Sequence, residues 1–119
     1  MFPSITFKHT HTDEARHLED VVTHKFAAFE KYIGDESDVR CEVEFAKEAA
    51  NQSGAIYRVE GNVWVAGTLF RAEATEDTFE KAIDSVRDDL DAEMHKDHDK
   101  RVALAREGAR AAKEMLRGE

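Results

Sequence analysis

The chain has 119 residues, 41% of them apolar and 36% charged, with a formal net charge of -9; this fits one compact domain and excludes a disordered composition. The acidic balance excludes non-specific attraction to nucleic acid or an anionic membrane as a bulk property, so such a partner needs a local basic surface. With Cys41 as the only cysteine, no apolar run near the roughly 20 residues of a bilayer span and no basic-then-apolar N-terminus, the chain reads as cytoplasmic, without internal disulfide or secretory signal.

Ser4-Ile5-Thr6-Phe7-Lys8 alternates apolar and polar residues and predicts a short strand. Thr10, or failing that Thr12, is placed to cap a helix, with Asp13 at the capping-box spacing from Thr10. From Asp13 to Ile33, Leu18, Val22, Phe26, Phe29 and Ile33 fall at steps of three or four, one stripe of a helix. Val21 and Tyr32 widen that stripe, and Gly34 is suited to ending it in a left-handed turn.

The period then changes to two. Val39, Cys41, Val43 and Phe45 oppose Arg40, Glu42 and Glu44, a strand with one buried and one wet face. A polar loop is expected over 47–53. Tyr57, Val59, Gly61 and Val63 oppose Arg58, Glu60 and Asn62 in a second such strand. Ala66-Gly67 offers a tight turn, and 68–74 forms a third, with Phe70, Ala72 and Ala74 inward and Leu69, Arg71 and Glu73 outward. Arginines and glutamates on neighbouring strands are expected to pair across the wet face, at about 0.2–1 kcal/mol each.

A second amphipathic helix is expected to begin near Thr75-Glu76-Asp77, whose acids suit a helix N-terminus. Its stripe is Phe79, Ala82, Ile83, Val86, Leu90 and Met94. Residues 76–94 hold eight acids and two bases, whereas 95–119 hold seven bases and five acids. The second part is alanine-rich with thin apolar content, and reads as a helix extension or a mobile basic arm. The expected division is an α+β domain over 1–98 and a tail over 99–119. Two amphipathic helices need one sheet face, so the order β-α-β-β-β-α predicts a two-layer α+β sandwich, two helices on one face of a four-stranded sheet.

The stretch "LFRAEATEDTFEKAIDSVRDDLDAEMHKDHDK" carries Asp77, Ala82, Ile83, Asp84, Leu90 and Lys96, with Phe79 where a tyrosine is usual. Together with "HKFAAFEKYI" in the first helix, it resembles the ribosome hibernation-promoting factor family. That family includes the ribosome-associated inhibitor A proteins, once called sigma-54 modulation proteins. The resemblance covers about residues 4–98 in element order and spacing. It implies a divergent short form, expected to lack the long form's dimerisation domain. What it implies of function is a non-enzymatic factor that binds 16S-type rRNA of the small ribosomal subunit near the decoding centre and silences translation under stress. No cofactor, metal, membrane or small-molecule substrate is implied.

Carried over residue by residue, the resemblance implies RNA-binding roles for Lys25, Lys31, Arg71, Lys96 and Lys100, with Lys47 and Arg58 weaker. Arg106 and Arg110 join them from the tail, where Arg106, Arg110, Lys113 and Arg117 form one basic stripe on a helix. These cations are expected to gather along one ridge of an anionic body. Family bases are replaced by Ala28, Asp89, Ala92, His95 and His98, and each lost phosphate contact lowers the salt slope by about 0.9 on duplex DNA. The alternative is a divergent member that has left the ribosome and binds another protein through its charged surfaces, or itself as a dimer.

Other residues have simpler readings. Asp84 suits a structural hydrogen bond, and Cys41 a buried small hydrophobe rather than a reactive thiol. Trp64 suits a hairpin anchor more than a base-stacking platform. His9 and His11 are expected on one strand side, and His95 and His98 on one helix face near Asp99, without the spacing of a zinc site. Histidines in place of lysines would strengthen an RNA contact as pH falls.

Overall fold

The computed structural model describes residues 2–48 and 55–117. It is a two-layer α+β sandwich. Strands β1 (Ile5–Thr10), β2 (Val39–Lys47), β3 (Tyr57–Val65) and β4 (Thr68–Glu76) lie in the order β1-β2-β3-β4. β1 runs parallel to β2, with Ile5 opposite Cys41, and the other neighbours are antiparallel. The expected loop over 47–53 falls largely outside the described residues; its first residue, Lys47, ends β2.

The first helical stretch starts later and is less regular than the apolar stripe predicts. A 3-10 turn (Arg16–Leu18) leads into α1 (Glu19–Phe26), and a second (Ala27–Phe29) leads into α2 (Glu30–Ile33). Leu18, Val22, Phe26, Phe29 and Ile33 are all buried, because 3-10 and α turns bring such spacings to nearly the same side. Thr10 caps nothing: it ends β1 and donates to Glu44 Oε2 at 2.6 Å. The Thr12 hydroxyl accepts from the Glu14 N–H at 3.2 Å. Gly34, at φ 62°, closes α2.

Strands β3 and β4 form a hairpin with a two-residue turn, Ala66 at φ 49° and Gly67 at φ 86°, the positive pair that matches strand twist. β4 runs through Glu76, opposite Tyr57, so the next helix starts later than predicted. It is α3 (Phe79–Arg117), with Thr78 as its cap: the hydroxyl accepts from the Lys81 N–H at 3.1 Å.

The core lies between the sheet and the helices. Cys41, Val43, Phe45, Val59, Val63 and Phe70 meet Val22, Phe26, Phe29, Ile83, Val86 and Leu90. Gly61 sets the separation of the layers. A Cβ there would stand 3.0 Å from Val86 Cγ1 and 3.1 Å from Leu90 Cδ1. Beyond Met94 the apolar stripe stops, yet α3 continues through Arg117 with residues 103–117 exposed. Its 39 residues span about 58 Å at 1.5 Å per residue, which accounts for the 72 × 24 × 19 Å envelope.

Candidate nucleic-acid interface

The helical layer holds two cations of the first helical stretch, each drawn to an acid of α3. Lys25 Nζ lies 2.5 Å from Asp84 Oδ1. Lys31 Nζ stands 5.1 Å over the Tyr32 ring and 4.0 Å from Asp91. The Tyr32 hydroxyl donates to Asp91 Oδ1 at 3.0 Å, and burial, then the Asp91 carboxylate, raise its pKa. His95 and His98 flank the same ring at 5.8 and 5.9 Å. Asp99 lies 3.1 Å from His95 Nε2 and 3.8 Å from His98 Nδ1.

Arg101, absent from the predicted set, fixes the point where α3 leaves the body. Its Nη2 donates to the Tyr32 carbonyl oxygen at 3.3 Å, and its Nε lies 2.9 Å from Asp97. A cation on a carbonyl of the last turn of α2 is electrostatically favourable. The i,i+4 pair Asp97–Arg101 is the one local signal of this anchor.

Lys96 and Lys100 are exposed on one flank of α3. Arg106 and Arg110 are exposed about 80° round the helix from them. Among the described residues none of these four makes an ion pair. Arg71 lies on the sheet face turned away from the helices, 3.3 Å from Glu60 and 3.7 Å from Glu73. The single ridge is therefore not what the fold produces: the expected bases occupy two flanks of the helical layer, the projecting end of α3 and the open sheet face, with carboxylates at Lys25, Lys31 and Arg71. A strand's side chains alternate sides, and Arg71 falls opposite the inward Phe70 and Ala72.

The weaker pair is held by acids. Lys47 Nζ donates to Glu14 Oε1 at 2.6 Å, which raises its pKa. Arg58 is bound by Glu44, Glu60 and Glu73, and its pKa is raised chiefly by Glu73. Glu60 in turn is held below the usual carboxylate range, first by a hydrogen bond from Asn62 and then by Arg58. These are the cross-strand pairs expected of the wet face.

Trp64 lies under the Arg40 guanidinium at 4.2 Å, its cross-strand partner, so a cation covers one ring face. Cys41 is fully buried, and burial pushes its thiol up to about 12. His9 is on the inner side of β1, stacked 5.1 Å from Phe45, and donates from Nε2 to Glu19 at 2.6 Å. His11 follows the end of β1 at φ 60°, so the two histidines do not share a strand side. Among the described residues, no group of three or more His, Cys, Asp or Glu side chains is arranged to hold a metal ion. No helix there is long and apolar enough to cross a membrane.

Comparisons with known proteins agree with this architecture. The N-terminal domain of Thermus thermophilus Protein Y superposes with a TM-score of 0.64 at 21% identity, over 81% of this chain and 98% of that one. A ribosomal subunit interface protein from Coxiella burnetii superposes at 0.60 and 18% identity, over 77% of this chain and 93% of its own. Among curated proteins, none matches the chain. A family model, sigma 54 modulation protein / S30EA ribosomal protein, matches residues 4–102, which take in the sheet, the first helical stretch and α3 through Val102. The chain belongs to the sigma 54 modulation protein / S30EA ribosomal protein family.

Proposed function

We propose that this chain is a ribosome-associated factor that binds small-subunit rRNA near the decoding centre and silences translation without catalysing a reaction. The observation that carries the reading is the family match over 4–102; the likeness to the ribosomal subunit interface protein from Coxiella burnetii is consistent with it. Lys96, Lys100, Arg106 and Arg110 are the foremost phosphate contacts, being exposed and free of ion pairs among the described residues. Lys25 and Lys31 join them on leaving Asp84 and Asp91. Arg71 serves an RNA surface on the far side of the sheet. Cations on several sides suit a cleft that encloses the protein better than a flat surface.

The test is sedimentation of the purified protein with small subunits over a salt titration. Co-migration that fades with salt supports the reading, and chemical probing of the rRNA then locates the contact. Protein that stays at the top of the gradient at every salt concentration refutes it.

A further inference from the structure

We propose that two copies of this chain pair antiparallel along the solvent face of α3, the basic half of each helix lying on the acidic half of the other. On the side of α3 turned from the sheet, Asp84, Asp88, Asp91 and His95 recur at steps of four, three and four. Arg106, Arg110, Lys113 and Arg117 recur at the same steps. Both sets stand roughly opposite Val86 and Leu90, which are buried against the sheet.

Turning a second helix end for end matches the sets. Arg117 meets Asp84, Lys113 meets Asp88 and Arg110 meets Asp91, with His95 opposite Arg106. The dyad falls between Lys100 and Arg101. A two-fold axis repeats every pair, so one surface is complementary to itself, which is the condition for an isologous dimer.

The fold leaves room for the second helix. Each sheet lies on the outer side of its own α3, and residues 103–117 project beyond the body. The groove between α1 and α3, lined by His24, Lys25, Ala28, Asp84, Arg87 and Asp88, receives the partner's helix end. Lys25 already holds Asp84, Arg87 holds Asp88, and the Tyr32 hydroxyl and Lys31 hold Asp91, but a carboxylate accepts further donors beside those it holds. The four bases of the projecting half make no ion pair among the described residues. Charge holds this contact, so it is sensitive to salt.

The pairing does not rest on ribosome binding, although both use Arg106 and Arg110 and so compete. It is tested without RNA, by analytical ultracentrifugation of the full chain from about 0.01 M to about 1 M salt, across which the Debye length falls from about 30 to about 3 Å. The expected result is a dimer at the low end and a monomer at the high end. Lys113→Glu with Arg117→Glu reverses two of the bases, and Asp84→Lys with Asp88→Lys reverses the two acids they face, so a mixed pair again sets opposite charges against each other at every position. Each variant alone is expected to be monomeric at low salt, and an equal mixture to regain the dimer. The first set alters only exposed residues outside the core, and circular dichroism checks the fold of both. A parent that is monomeric at every salt concentration overturns the proposal. So does a dimer that survives reversal of the two bases, or a mixture of folded variants that stays monomeric.

Discussion

The Lys25 ammonium stands 2.5 Å from the Asp84 carboxylate, joining α1 to α3 across the outer side of the helical layer. Both side chains are partly exposed, so the pair contributes only about 0–1 kcal/mol to folding. Its larger effect is on availability, since Lys25 must leave Asp84 to meet a phosphate. Asp84→Asn is expected to leave the urea midpoint nearly unchanged and to tighten ribosome binding with a steeper salt dependence. Identical isotherms for variant and parent across a salt titration would remove Lys25 from the interface.

Arg58 ties three strands of the open sheet face, through Glu44 on β2, Glu60 on its own β3 and Glu73 on β4. Among the described residues, removing the guanidinium leaves Glu60 and Glu73 ion-paired with Arg71 alone and Glu44 with the exposed Lys8. Arg58→Met is expected to lose about 1–3 kcal/mol near pH 7, the scale of hydrogen bonds to charged groups. The depressed pKa of Glu60 gives the sign of the pH effect. Its stabilisation is present above the ordinary carboxylate value and is lost as pH falls through the depressed folded value. The difference between variant and parent should therefore shrink in acid, as urea titrations near pH 7 and about pH 3 would show; a difference that stays constant contradicts the charge argument.

Gly61 owes its place to close approach. Its missing Cβ leaves space taken up by Val86 and Leu90, with Phe26 Cζ at 3.5 Å from where a Cβ would stand. All three neighbours are buried and cannot swing into solvent. Gly61→Val is expected to destabilise by about 1–3 kcal/mol through overpacking, read as a lower urea midpoint. An unchanged midpoint would mean that the layers separate without cost.

Much of this architecture is legible in the sequence where the signal is local and periodic. The inward row Cys41, Val43, Phe45 and the helical row Phe79, Ile83, Val86, Leu90 are buried as their periods require. Element ends are less legible, because one residue can satisfy two rules. Glu76 suits a helix N-terminus by charge, yet it pairs with Tyr57 as the last residue of β4, and Thr78 takes the cap. The site is legible as a set of residues and not as an arrangement. Lys25 and Asp84 are 59 positions apart, and no spacing rule announces that an acid will hold that base. Nor does β1 carry a mark that it pairs parallel with β2, whereas the outward place of Arg71 on β4 follows from the alternation alone.

Cys41 gives a chemical test of the core. Its side chain is fully buried, and burial pushes the thiol from 9.0 to about 12. The fold favours the protonated form, so the unfolded chain binds fewer protons between those values. Stability is therefore constant with respect to this group below about pH 9 and falls as pH rises toward 12. At neutral pH the native thiol should be inert to an aromatic disulfide reagent and react fully in denaturant, since thiolate is the nucleophile. Rapid labelling of the native protein would show that β2 opens far more often than a closed core allows.

The projecting end of α3 separates folding from binding. Residues 103–117 are exposed and lie outside the buried cluster, whereas Arg101 still holds the Tyr32 carbonyl. A chain ended after Val102 should keep its melting temperature and its circular dichroism, because its core and the Arg101 anchor are intact. It loses Arg106 and Arg110, so its affinity for small subunits should drop and its salt slope flatten by up to about 0.9 for each phosphate contact on the duplex-DNA scale. The logarithm of affinity against the logarithm of salt gives both quantities in one titration. Lower affinity at an unchanged slope would mean that the projecting helix acts by shape and not by charge, and unchanged affinity would place the rRNA contact wholly within the body.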